Sequence, residues 1–404
     1  MNRRFLGAIG VTGAIVALIV LLKLAPVPVA GPASTATAQA GAAGNTGPVP
    51  RTAWGEPDLQ GIWANEYETP LQRPARYANK EFFTDAERAE LDRQRAGMRT
   101  FSDRAAPRGS ERDVAGAYNA VFQTMKHTGK RTSLIVDPPD GKISPVTPEV
   151  QKRRGAIREF QQALLQATEA CKAQEAECAG VKLGPPSPRR AEVPPHYLTV
   201  NVNRADGPED RSLSERCMAA QLPDFGGFRR IVQSSGSVSI FYDVGQGQGW
   251  QRTIPMTGSP HLPPHVRQRW GDSRGRWEGK TLVVDVTNFS PKTDFQGSRE
   301  NLHLIERWTR IDANTLEYVV TIEDPTTWTK PWTVKLEMSR QNEQANRIYY
   351  EPRCHEGNYG LVGLLAGARV EEKAFAARRG PDPATRCRVV CGYGLTDEDN
   401  DPLR

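Results

Sequence analysis

Signatures of nucleotide chemistry are missing from this chain. It has no Gly-rich phosphate loop, which leaves phosphoryl transfer and hydride transfer without a cofactor cradle. There is no two-Cys ribbon, which excludes a zinc ribbon. Basic residues form no stripe interleaved with aromatics. Lys and Arg number 53 against 47 Asp and Glu, for a net +6. Three of those positive charges (Arg3, Arg4, Lys23) lie in the first forty residues, which hold no acid, leaving 6 − 3 = +3 for the rest. That balance argues against nucleic acid as a partner.

Glycine, at 36 residues, and proline, at 31, are what the chain has in plenty. Both suit a loop-rich β protein better than a helical bundle. Met1–Arg4 is a short basic segment, Phe5–Leu24 is almost wholly apolar, and Ala38-Gln39-Ala40 offers a cleavage site after Ala40. This reads as an export signal. About twenty apolar residues can also span a bilayer, so an uncleaved anchor is the alternative and the only expected membrane contact. No Cys closely follows the apolar run, which argues against a lipoprotein anchor. The folded part is accordingly expected in the periplasm or secreted.

Six cysteines in an oxidising compartment favour disulfides, with 15 connectivities open. Cys171 and Cys178 fall in a helical pattern. Seven helical residues rise about 10.5 Å, whereas bridged Cα atoms need about 7 Å or less. These two therefore pair only if the helix breaks, and Lys172–Glu177 contains no Gly or Pro to force that.

The expected organisation is a signal or anchor (1–40), a flexible linker (41–53), a strand plus helical segment packing on a barrel (54–195), an antiparallel β-barrel (196–365) and a C-terminal helix and tail (366–404). Trp54–Trp63 reads as a first strand entered through a turn, whose Gly61-Ile62-Trp63 step resembles the opening of lipocalin-like barrels. Thr84-Asp85-Ala86-Glu87 is a capping box opening a helix to about Met98. Arg131–Asp137 is a strand closed by a Pro138–Gly141 turn. Thr147 caps a second helix, with an apolar stripe of Val150, Ile157, Phe160, Leu164 and Cys171 expected to pack on the sheet.

From Phe228 the period becomes two, in runs at Phe228–Ser234, Ser237–Asp243, Trp250–Pro255, Arg276–Glu278, Thr281–Thr287, Leu302–Ile311, Thr315–Glu323, Trp332–Met338 and Arg347–Arg353. Glu278-Gly279-Lys280 and Asp312-Ala313-Asn314 are tight turns between them. The fold class is thus mainly β with a helical N-terminal half (α+β): an antiparallel meander closing into a lipocalin-like β-barrel flanked by two helices. An open curved sheet covered by the two helices is the alternative.

Strand geometry bears on the chemistry. His303 and Glu306 are three apart, so on a strand without a bulge they point to opposite faces and cannot share a metal. If Leu304 and Trp308 face inward, Glu306 is an interior carboxylate that needs an Arg, a Tyr or another donor beside it. Cys354-His355-Glu356-Gly357-Asn358-Tyr359-Gly360 follows the last run, with Cys354 expected in a disulfide that fixes His355 near a site. His261 lies in a Pro-rich loop, too broken for helical chelation, and is placed to reach over the barrel mouth. Glu306, His261 and His355 are the candidate acid/base groups. Arg267, Trp270, Asp272, Trp277, Trp308, Asn358 and Tyr359 are the candidate ligand contacts. Three His ligands would satisfy zinc, so His261, His303 and His355 form the candidate metal set, and no other cofactor is expected.

Several stretches together resemble a family of secreted, functionally uncharacterised proteins of environmental bacteria. They are PDLQGIW (Pro57–Trp63), RTSLIVDPPDG (Arg131–Gly141), SLSERC (Ser212–Cys217), PHLPPHVRQRWGDSRGRWEGKTLVVDVTNF (Pro260–Phe289), ENLHLIERW (Glu300–Trp308), DPTTWTKPW (Asp324–Trp332) and CHEGNYG (Cys354–Gly360). The resemblance implies no activity. The expected function is that of an exported barrel binding a small amphipathic or glycosidic molecule at its mouth, with hydrolysis or elimination by His/Glu acid–base chemistry if it is an enzyme. The alternative is a structural or accessory envelope protein.

Overall fold

A computed structural model describes residues 49–98, 126–173, 178, 180–245, 248–341, 354–355 and 357–388. The N-terminal signal or anchor, the Arg347–Arg353 run and Glu356 lie outside the described residues. Ten strands form one sheet: β1 (Gly61–Ala64), β2 (Ile135–Asp137), β3 (Phe228–Gln233), β4 (Ser237–Gly245), β5 (Gln248–Pro255), β6 (Asp272–Glu278), β7 (Thr281–Thr287), β8 (His303–Arg310), β9 (Thr315–Glu323) and β10 (Trp332–Arg340). Nine follow the order β5-β4-β3-β1-β10-β9-β8-β7-β6, and β2 pairs with β10 off that path. All these pairings are antiparallel. The expected runs from Phe228 to Met338 are all strands, and the sheet curls into a nearly closed, lipocalin-like barrel.

The two-residue period explains why it curls around one core. In β8, Leu304, Glu306 and Trp308 are buried, opposite Val286, Val284 and Leu282 of β7 and Ile322, Val320 and Tyr318 of β9. Alternate residues face outward. Gly279, at φ 62°, turns β6 into β7 in a left-handed conformation that glycine adopts without strain. Asp312 accepts from Asn314 N at 2.7 Å to turn β8 into β9.

Between β5 and β6 no ladder pairing occurs among the described residues. Side chains close this seam instead. Arg252 Nη1 donates to Ser273 Oγ at 3.3 Å. Gly275 sits so close to β5 that a Cβ there would stand 2.4 Å from Met256 Sδ and 2.8 Å from Ile254 Cγ2.

One end of the barrel is plugged by its own first strand. Trp63 is fully buried and its indole donates to Leu59 O at 2.9 Å. The Arg310 guanidinium lies 5.2 Å from that ring and donates to the carbonyls of Asp58, Asp312 and Ala313. At the other end Trp328, Trp332 and Phe295 pack together, with Asp324 accepting from Ser298, Thr326 and Thr327 to hold the turn that carries Trp328.

Helix α1 (Asp85–Met98) opens on the expected reciprocal cap between Thr84 and Glu87. Helix α2 (Pro148–Leu165) is capped by Thr147 as expected. Its stripe departs from expectation in two ways. Phe160 and Leu164 pack on Leu198 and Val202, a cluster separate from the barrel core. The helix also stops at Leu165, because Thr168 caps a new short helix, α3 (Glu169–Lys172), which carries Cys171. With that ending at Lys172, Cys171 and Cys178 come within 5.0 Å (Cα–Cα) and form a disulfide. A second disulfide joins Cys217 to Cys354, just before helix α4 (Tyr359–Ala376).

Candidate functional site

Two polar groupings emerge, one inside the barrel and one on its outer face. Inside, Glu306 is fully buried, and the sequence requirement for a partner is met twice. Arg252 forms an ion pair with one carboxylate oxygen, and the Tyr318 hydroxyl donates to the other at 2.8 Å. The Arg252 guanidinium also lies 5.6 Å from the Tyr242 ring. Tyr242 stacks on Trp250 at 4.6 Å, and Trp250 stacks on Trp270 at 4.5 Å. Trp308 leans on Tyr318 at 4.2 Å. Burial pushes the phenols of both Tyr242 and Tyr318 above their ordinary range, so both remain O–H donors.

Within this grouping four buried donors meet no acceptor among the described residues: the Tyr242 hydroxyl, the indole N–H of Trp250 and of Trp308, and Arg252 Nε. Hydrogen-bonding groups so deeply buried are nearly always paired. Tyr242, Trp250, Arg252 and Tyr318 were not singled out by the sequence reading. A signal for Arg252 was nonetheless present, since it falls on the same strand face as Trp250 and Ile254, as Glu306 does between Leu304 and Trp308.

On the outer face, acids and histidines alternate. Asp272 Oδ1 accepts from Arg274 at 2.6 Å, while its Oδ2 is 2.9 Å from His261 Nδ1. His261 Nε2 is 3.3 Å from Asp285 Oδ1, and the same oxygen is 3.0 Å from His303 Nε2. His303 Nδ1 continues to Glu323 Oε2 at 3.2 Å. Both ring nitrogens of His303 thus face carboxylates, an arrangement that only the doubly protonated ring satisfies. The Asp285 hydrogen bond accordingly raises the His303 pKa, with Glu323 adding to it against burial. In return, His303 holds the Asp285 carboxyl below its ordinary range. Asp285, Glu323 and Arg274 were also missed by the sequence reading, because their meeting depends on strand register.

The remaining candidates are dispersed. Arg267 is exposed and donates to Glu300 O at 2.6 Å. Trp270 is half-buried over the barrel end, its indole donating to Ala220 O at 2.8 Å. Trp277 is half-buried on β6. Asn358 serves as the cap of α4, accepting from Leu361 N at 3.1 Å, and Tyr359 is 94% exposed. His355 is exposed beside the Cys217–Cys354 disulfide, and its carbonyl accepts from Asn358 N. Among the described residues no three His, Cys, Asp or Glu side chains are arranged to hold a metal ion. No helix among them is long and apolar enough to cross a membrane.

No family model matches the chain, and no curated protein does either. Among solved structures, a point mutant of the fluorescent protein UnaG aligns at 14% identity with a TM-score of 0.19, covering 29% of this chain and 72% of that one. Secretory abundant heat soluble protein 4 from Ramazzottius varieornatus aligns at 12% identity with a TM-score of 0.19, covering 28% and 69%. Likenesses of this size carry no inference about ligand or activity.

Proposed function

We propose that this protein is an exported binding protein whose barrel holds a small, largely apolar molecule around Tyr242, Trp250, Arg252 and Trp308. The supporting observation is the set of buried donors there that find no acceptor among the described residues. Each such group left unpaired costs about 1–3 kcal/mol, and a ligand carrying acceptors offsets that cost. The aromatic and aliphatic surroundings suit an amphipathic molecule better than a sugar. Export is supported by the N-terminal apolar segment and by two disulfides, which persist in oxidising compartments.

Binding is favoured over conversion because both Glu306 oxygens are engaged, by Arg252 and by Tyr318. The scaffold alternative draws on the same pairing, since Arg252 and Glu306 neutralise one another without any ligand. A thermal-melting screen of the full-length protein against small apolar compounds separates the two. At 100 times its Kd a ligand adds about 2.7 kcal/mol, so a binding protein melts at a higher temperature with some of them. A scaffold's melting temperature stays unchanged throughout the panel.

A further inference from the structure

We infer that the molecule bound in the barrel is electrically neutral: an apolar compound bearing carbonyl- or ether-type acceptors, not an anion such as a fatty acid. This rests on the binding role proposed above and specifies its ligand class.

Around Glu306 the hydrogen-bonding supply is one-sided. Tyr242, Trp250, Trp308 and Arg252 Nε offer donors with no acceptor among the described residues. Meanwhile each oxygen of Glu306 already receives one. The complementary ligand therefore presents acceptors. Burial holds the Tyr242 phenol protonated, which keeps it a donor.

Charge decides which acceptors. A buried anion needs a cation whose charge is not already spent, because desolvating an unpaired ion costs far more than a hydrogen bond returns. The interior cations are spent. Arg252 is paired with Glu306, and Arg229 with Asp224 at 3.0 Å. Arg310 at the plugged end faces Asp58 Oδ2 at 3.9 Å and three backbone carbonyls. Lys126, near Arg229, faces Glu68 and Asp224, while burial lowers its pKa. A carboxylate ligand would enter with no partner for its charge, whereas a neutral carbonyl asks only for the donors on hand.

Three naphthalenes that differ only at one substituent test this by equilibrium dialysis against the full-length protein: 2-acetylnaphthalene, 2-naphthoate and 2-ethylnaphthalene. The ketone should bind about tenfold more tightly than either of the others, the gain expected of one or two hydrogen bonds. Tyr242→Phe should shrink that advantage several-fold, with circular dichroism confirming the fold. If 2-naphthoate binds as tightly as the ketone, neutrality is overturned while the binding role stands. If 2-ethylnaphthalene matches the ketone, the donors are not read and the inference is overturned. If none of the three binds, the binding role fails, and the ligand class with it.

Discussion

Arg252 and Glu306 neutralise each other where water does not reach, and neither tolerates the loss of its partner. Glu306→Leu leaves a buried guanidinium uncompensated and a Tyr318 hydroxyl without its acceptor, so it should cost about 3–5 kcal/mol in urea unfolding. Adding Arg252→Leu to the same chain should recover most of that loss, since apolar replacement of a whole buried pair is often close to neutral. A double variant as unstable as the single one would contradict the pairing. The outer-face histidine gives a pH test with a definite sign. His303 has a raised pKa in the folded protein. Its contribution is therefore complete below the unfolded value of about 6.5 and fades as pH rises through the folded one. Asp285 is lowered, so its contribution is present above about 3.9 and fades as pH falls through its folded value. His303→Gln should thus cost more stability at pH 5.5 than at pH 8.5, as measured by urea midpoints; an equal cost at both would remove the ion pair from the account. Of these residues, Glu306 was legible from the two-residue period alone, down to the kind of partner it needs. Arg252 carried the same signal on a strand that was recognised. The Asp285–His303 contact was not legible, because it depends on Ile305 lying opposite Asp285, a register set by packing across the whole sheet.

At the scale of elements, the seam between β5 and β6 is held by side chains without a ladder, so it is sensitive to volume. Gly275→Ala would place a methyl group against Ile254 and Met256 and should destabilise by about 1–3 kcal/mol, measurable by urea unfolding. No change there would mean that the seam is looser than drawn. The Cys217–Cys354 disulfide closes 137 residues, which by loop entropy is worth up to about 5 kcal/mol. Replacing both cysteines by Ala should lower the unfolding midpoint accordingly, with α4 losing protection from hydrogen exchange first. Strands, both helix caps and the tight turns were readable because each rests on local chemistry: alternation, a Thr–Glu box, a glycine at positive φ. The break after Leu165 was not, since the apolar spacing continues to Cys171. Thr168, which restarts the helix as a new cap, was the residue that could have revealed it.

At the scale of the molecule, a meander predicted to close curls into a nearly closed barrel, around an interior holding both aromatics and a neutralised charge pair. The sequence pointed to one mouth gathering His261, Glu306 and His355. The barrel instead separates them: Glu306 is inside, His261 joins His303 on the outer face, and His355 lies by the disulfide. Which polar residues converge depends on how strands close in three dimensions, and a list of runs does not carry that. What remains central is the proposal that the buried donors face a ligand. A crystal structure of the full-length protein grown with 2-acetylnaphthalene tests this most directly. It should show the ketone oxygen within about 2.7–3.2 Å of the Tyr242 hydroxyl, Arg252 Nε or an indole N–H. An interior unchanged by the compound, its donors answered by ordered water alone, would contradict the account.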